Sequence, residues 1–153
     1  MLKQSLKVRI RKLVPEAVIP KYATLGAAGF DLVSTEYVKI LPGETKLVKT
    51  GLSIEVPGGY ELQIRPRSGN SLKTNLVVAN APGTVDSDYR GEICVIVYGR
   101  PNFSYTNEEF LEIKKGDRIA QGVIAPIEQV EFEEVTELSE TQRGSGGFGS
   151  TGK

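Results

Sequence analysis

Turn pairs cut this chain into apolar runs too short for ordinary helices. Pro42-Gly43, Pro57-Gly58-Gly59, Pro82-Gly83 and Lys115-Gly116 recur along it. Each joins a residue that ends regular structure to a glycine that tolerates left-handed backbone. Between and beyond them lie stretches rich in Val, Ile, Leu, Tyr and Phe, at residues 6–13, 29–34, 37–41, 45–56, 60–66, 76–79, 92–98, 110–113, 118–126 and 130–135. No long segment repeats its apolar residues at the helical period. The pattern predicts an all-β fold, a sandwich or barrel, with at most a short helical turn at residues 71–75. At 153 residues the chain suits one domain with a sizeable core.

Charge and rare residues narrow the chemistry. Nineteen basic and 19 acidic residues give a formal net charge of zero, which argues against nucleic acid or a membrane surface as partner. No apolar run approaches the roughly 20 residues that span a bilayer. Residues 1–13 are basic but lack the apolar region of a secretory signal. Their alternation, Leu6, Val8 and Ile10 against Lys7, Arg9 and Arg11, reads as a strand. There is no histidine and one cysteine, Cys94, which sits in an apolar run. We expect a buried small hydrophobe there rather than a nucleophile, since no imidazole can activate it. A single cysteine excludes an internal disulfide framework and fits a reducing, cytoplasmic compartment. The same shortage removes most transition-metal sites. Any metal should be hard and oxygen-bound, such as Mg²⁺ held partly by substrate phosphates.

Acid–base work at neutral pH therefore falls to carboxylates. The four aspartates are Asp31, Asp86, Asp88 and Asp117. Any of them could simply cap its own turn, and in Lys115-Gly116-Asp117 that reading is preferred. Asp86 differs. It lies in Pro82-Gly83-Thr84-Val85-Asp86-Ser87-Asp88-Tyr89-Arg90-Gly91-Glu92, which reads as a hairpin tip. A carboxylate on a rigid turn can hold a water molecule, and Tyr89 can wall a small substrate. Arg65-Pro66-Arg67-Ser68-Gly69 ends another strand, where a guanidinium, a hydroxyl and nearby backbone N–H groups could cradle an anion. Residues 100–109 read as an exposed polar hairpin loop. Residues 139–153 read as a glycine-rich flap with one aromatic, Phe148, and Arg143 upstream. The spacing Gly147-x-x-x-x-Gly152-Lys153 matches a phosphate-binding loop, but no strong strand precedes it, so that reading is rejected.

Five motifs in order carry a resemblance over nearly the whole chain. They are Ala28-Gly29-Phe30-Asp31-Leu32, Pro66-Arg67-Ser68-Gly69, the Gly83-to-Glu92 segment, Gly116-Asp117-Arg118-Ile119-Ala120-Gln121, and Arg143-Gly144-Ser145-Gly146-Gly147-Phe148-Gly149-Ser150-Thr151-Gly152. Together they resemble the homotrimeric dUTP pyrophosphatase (dUTPase) family. The resemblance implies a distorted jelly-roll-like β-sandwich or barrel over residues 1–138 with a mobile flap over 139–153. It implies hydrolysis of dUTP to dUMP and pyrophosphate, which keeps uracil out of DNA and supplies dUMP for thymidylate synthesis. Asp86 matches the acid that activates the attacking water, and Tyr89 the ring against the deoxyribose. Asn80 matches the residue that reads the uracil edge, with the backbone around Thr84 and Val85. Arg67, Ser68 and Gly69 match phosphate contacts, and Gln121 a contact near the α-phosphate. Arg143, Phe148, Gly149, Ser150 and Thr151 match the closing tail, and Asp31 a supporting acid. Mg²⁺ is implied on the phosphates with no direct protein ligand, and each site is implied to be shared between subunits. The same fold also hosts dCTP deaminases and bifunctional deaminase–dUTPases, the rival reading; a non-catalytic binding sandwich is a further one.

Overall fold

The computed structural model describes residues 6–101 and 110–149. Its elements are β1 (Arg9–Lys12), β2 (Phe30–Val33), β3 (Val38–Ile40), β4 (Thr45–Lys49), β5 (Leu52–Glu55), β6 (Tyr60–Arg65), α1 (Ser68–Lys73), β7 (Leu76–Val78), β8 (Gly83–Val85), β9 (Cys94–Gly99), β10 (Leu111–Ile113) and β11 (Arg118–Pro126). Two larger sheets run β2-β11-β6-β8 and β4-β9-β7, and two small ones pair β1 with β5 and β10 with β3. All these pairings are antiparallel. Neighbours such as β2 and β11 are far apart in sequence, and the chain winds into a nearly all-β form, as its turn spacing predicts, of the jelly-roll-like kind that the resemblance implies.

Period-2 alternation builds the core. Val95 and Val97 of β9, Leu62 and Ile64 of β6, Leu32 of β2 and Ile40 of β3 point inward into one apolar cluster. Burying an aliphatic side chain of this size contributes about 1.5–3 kcal/mol, so short strands that are marginal alone hold together as a sandwich.

Several expectations are corrected. The run at 45–56 is two strands, because Gly51 has φ +67 and turns the chain between β4 and β5. A Cβ there would also lie 2.7 Å from Val14 Cγ2 and 2.8 Å from Ala17 Cβ. The run at 130–135 is not a strand. Val130, Phe132 and Val135 are 65%, 92% and 51% exposed, because no sheet edge among the described residues pairs with them. The short helix spans Ser68–Lys73 rather than 71–75. The segment at 83–92 is not a hairpin tip either: β8 pairs with β6, whereas β9 pairs with β4 and β7, so residues 86–92 cross from one sheet to another. Nearly all of the loop expected at 100–109 lies outside the described residues.

One irregularity positions the site. In β11, Arg118 faces Val33 and Ala120 faces Leu32, so Ile119 is an extra residue, a β-bulge. Ile119 and Ala120 are consequently both buried. Beyond the bulge, Gln121 pairs with Asp31 on one side and Arg65 on the other. A one-residue slip would turn every later side chain to the opposite face. The bulge thus places motif residues 90 positions apart in one row across the sheet.

Candidate active site

The Asp86 segment is held by bonds to the corner between β4 and β5. Gly51 N–H donates to Glu92 Oε1 at 2.8 Å, and Ser53 Oγ donates to the Arg90 carbonyl at 2.8 Å. Thr50 Oγ1 donates to the Ile93 carbonyl at 2.5 Å, and Ile93 N–H to the Leu52 carbonyl at 2.7 Å. Within the segment, Tyr89 N–H donates to the Asp86 carbonyl at 3.2 Å, which closes a turn. The Tyr89 hydroxyl donates to the Glu92 carbonyl at 3.2 Å. Its ring lies so close over Gly91 that a Cβ there would run into the phenol. A larger residue after the Tyr-Arg pair would therefore make the exposed ring move from this position.

This turn rims a cleft of about 280 Å³. Asn80, Thr84, Val85, Asp86 and Tyr89 line it together, with Ile64, Leu47, Ile96 and Cys94 as its apolar wall. Gly83 keeps the wall open to Asn80, since a Cβ there would lie 3.2 Å from Asn80 Nδ2 and 3.3 Å from Ile64 Cβ. A half-exposed tyrosine beside an exposed carboxylate and an amide gives the cleft a polar rim over an apolar wall, which suits a small polar ligand. Cys94 differs from expectation in being half-buried on the cleft wall. Burial pushes its thiol up, Glu92 adds to that and Lys49 opposes it. It stays a neutral thiol and a poor nucleophile.

A second cavity, also about 280 Å³, gathers Asp31, Arg67, Ser68, Gly69 and Gln121 with Arg118 and Lys21. Its frame is a charged fork. Arg67 Nε donates to Asp31 Oδ1 at 2.7 Å, and Arg118 Nη1 to Asp31 Oδ2 at 3.3 Å. Gln121 Nε2 donates to the Pro66 carbonyl at 2.8 Å. Gly29 leaves room for this amide, because a Cβ would lie 2.7 Å from Gln121 Oε1 and 3.3 Å from the Gly122 carbonyl oxygen and would push Gln121 from this position. Three cations against one carboxylate make this cavity electropositive, as an oligophosphate site must be. Arg118 and Lys21 were not singled out from sequence. Arg118 stands inside a quoted motif, but only the shared Asp31 reveals its aim.

The two linings share no residue. The structure thus brings the predicted residues together as two separate groups. Asp117 accepts from Lys114 N–H at 2.8 Å, the turn cap expected of it. In the tail, Arg143 Nε donates to the Gly146 carbonyl at 2.7 Å, and Phe148 is wholly exposed with φ +52. Gly149 follows with φ +88. Arg143, Phe148 and Gly149 line neither cavity; Ser150 and Thr151 lie outside the described residues.

Comparison with known proteins narrows the reading. The deoxyuridine 5'-triphosphate nucleotidohydrolase of Nautilia profundicola is 59% identical over 148 residues, 97% of this chain and 100% of that one. A variant of the Staphylococcus bacteriophage 80alpha dUTPase, solved with dUpNHpp, has a TM-score of 0.88 at 30% identity and covers 97% of this chain and 100% of that chain. A variant dUTPase from phage phi11 of S. aureus, described for its coordination of a structural Mg(II) ion, has a TM-score of 0.78 at 28% identity, with 86% and 98% covered. The dUTPase family model matches residues 15–152. With residues of four motifs gathered into an Asp86–Tyr89 cleft and an Arg67–Gln121 cavity, this chain belongs to the dUTPase family.

Proposed function

We propose that the protein hydrolyses dUTP to dUMP and pyrophosphate, at sites that combine the Asp86 cleft of one copy with the Arg67 cavity of another. The observation that supports this reading is the division just described: Asp86, Tyr89 and Asn80 line one cleft, Arg67, Ser68 and Gln121 line another, and the two linings share no residue. In the assembled site Asp86 orients a water for attack on the α-phosphorus. Arg67, Ser68, Gly69 and Gln121 hold phosphate oxygens, and Asp31 holds Arg67 and Arg118 in place. Tyr89 packs on the deoxyribose, where a 2′-hydroxyl would collide, and Asn80 with the backbone at Thr84 and Val85 reads uracil. Catalysis of this kind is mainly positioning and charge stabilisation.

Among the described residues, no group of three or more His, Cys, Asp or Glu could hold a metal. The hard oxygen donors that fit Mg²⁺ are the substrate's phosphates, completed by water. So carried, the ion neutralises phosphate charge, and the residues above do the binding and orienting. No helix among the described residues is long and apolar enough to cross a membrane. We place the enzyme in the cytoplasm, where it would keep uracil out of DNA and supply dUMP for thymidylate synthesis.

Pyrophosphate release from dUTP, UTP, dTTP and dCTP, with and without Mg²⁺, tests the reading. Rapid release from dUTP alone is expected, because a pocket matched to the uracil edge leaves groups unpaired against cytosine. Ammonia release from dCTP would instead support the deaminase reading, and binding without turnover a non-catalytic one.

The unpartnered segment after β11 supports assembly into a homotrimer. It leaves Val130, Phe132 and Leu138 exposed, apolar surface that a neighbouring copy would cover. Subunit mixing tests the shared site. Asp86→Asn and Arg67→Ala proteins, each inactive alone, are expected to regain activity in about a quarter of sites when co-assembled at equal amounts. If each chain carries a complete site, the mixture stays inactive.

A further inference from the structure

Lys21 stands outside all five motifs, yet the fold places it beside them. Tyr22 forms an antiparallel bridge with Phe30, and their rings meet edge to face at 5.7 Å. The register therefore sets Lys21 opposite Asp31 and Ala23 opposite Gly29. Alternation agrees with that register. Lys21, Ala23, Gly29 and Asp31 all line the electropositive cavity, while Tyr22 and Phe30, between them in sequence, line an apolar groove on the other face. Directly opposed residues share a face. Lys21 thus extends the row Asp31–Gln121–Arg65 by one strand width.

The neighbouring charges leave its ammonium available. Asp31, the carboxylate facing Lys21, is already engaged by Arg67 on one oxygen and Arg118 on the other. Among the described residues Lys21 makes no ion pair. A cation fixed in register at the rim of a phosphate cavity is arranged for an anion from outside the chain.

We propose that Lys21 is a further phosphate-binding residue, which contacts the two phosphates that leave as pyrophosphate. This rests on reading the cavity as the triphosphate site. Gln121 is assigned there to the α-phosphate end, and Lys21 lies two strand spacings from it, about 10 Å along the row. Lys21 is thus on the far side of the cavity, where the outer phosphates extend. Its role is binding and discrimination.

The test compares Lys21→Ala and Lys21→Arg with the parent protein. For Lys21→Ala, the KM for dUTP and the inhibition constant of inorganic pyrophosphate are both expected to rise about fivefold, the scale of one exposed ion pair. The kcat should stay within about twofold, the inhibition constant of dUMP should not move, and Lys21→Arg should restore both weakened values. An unchanged KM, or a loss shared equally by dUMP, would overturn the proposal. Calorimetric titration of inorganic pyrophosphate gives an answer independent of turnover. Absence of dUTP hydrolysis by the parent defeats the proposed function, whereas equal pyrophosphate affinity in parent and Lys21→Ala defeats only the role of Lys21.

Discussion

Asp86→Asn is expected to lower kcat for dUTP by about 10²–10⁴-fold, the range that positioned acid–base assistance supplies. The substitution is nearly isosteric, and the turn depends on the Asp86 carbonyl, which Tyr89 N–H binds. The segment is anchored elsewhere, through Glu92, Ser53 and Thr50. Fold, thermal midpoint and affinity for an unhydrolysable dUTP analogue should therefore stay close to the parent's. What is lost is a negative oxygen that can draw a proton from water. An amide oxygen is a far weaker base, so the attacking water is still held but not activated. Steady-state kinetics beside calorimetric binding of the analogue separate the two effects. A variant that turns over dUTP within tenfold of the parent would take Asp86 out of the mechanism.

A chain ending at Gln142 is expected to fold normally and to lose about 100-fold in kcat/KM, with contributions from charge stabilisation and closure. The described residues of the removed segment, 143–149, line neither cavity and belong to no part of the core cluster. Thermal unfolding should hardly change. The segment does carry Arg143, the cation proposed to reach the phosphates, and Phe148, a fully exposed ring. Under the proposed closure, this exposed ring finds its contact over bound nucleotide. Circular dichroism melts with dUTP kinetics on both lengths of chain decide the point. Full activity in the shortened protein would remove the closing role of the tail.

Much of the fold was legible in sequence because alternation and turn chemistry are local. The run at 118–126 matches β11 to the residue, and the turn glycines Gly43, Gly59 and Gly116 all have positive φ. The errors share one cause. Residues 45–56 look continuous until Gly51 meets Val14 and Ala17, contacts made by a segment more than 30 positions away. Residues 130–135 have a strand's composition, but strand formation needs an edge to pair with. The Asp86 segment looks like a hairpin because its flanks are apolar, yet each flank finds a better partner in a different sheet.

The chemistry was legible in part. Lack of histidine left carboxylates as the available acid–base groups, and the Asp86–Tyr89 spacing singled out one of them. Nothing in the spacing could say that Arg118 would share Asp31 with Arg67, or that Lys21 would face them.

By itself, then, the order of residues determined the β architecture and the motif set, since these follow from local periodicity and side-chain chemistry. Only the tertiary structure decided which motifs meet. A single bulge at Ile119 sets the face on which Gln121 emerges, and the bridge from Tyr22 to Phe30 brings Lys21 to the same row. Strand register is a long-range property of pairing, and one residue of slip inverts every side chain beyond it.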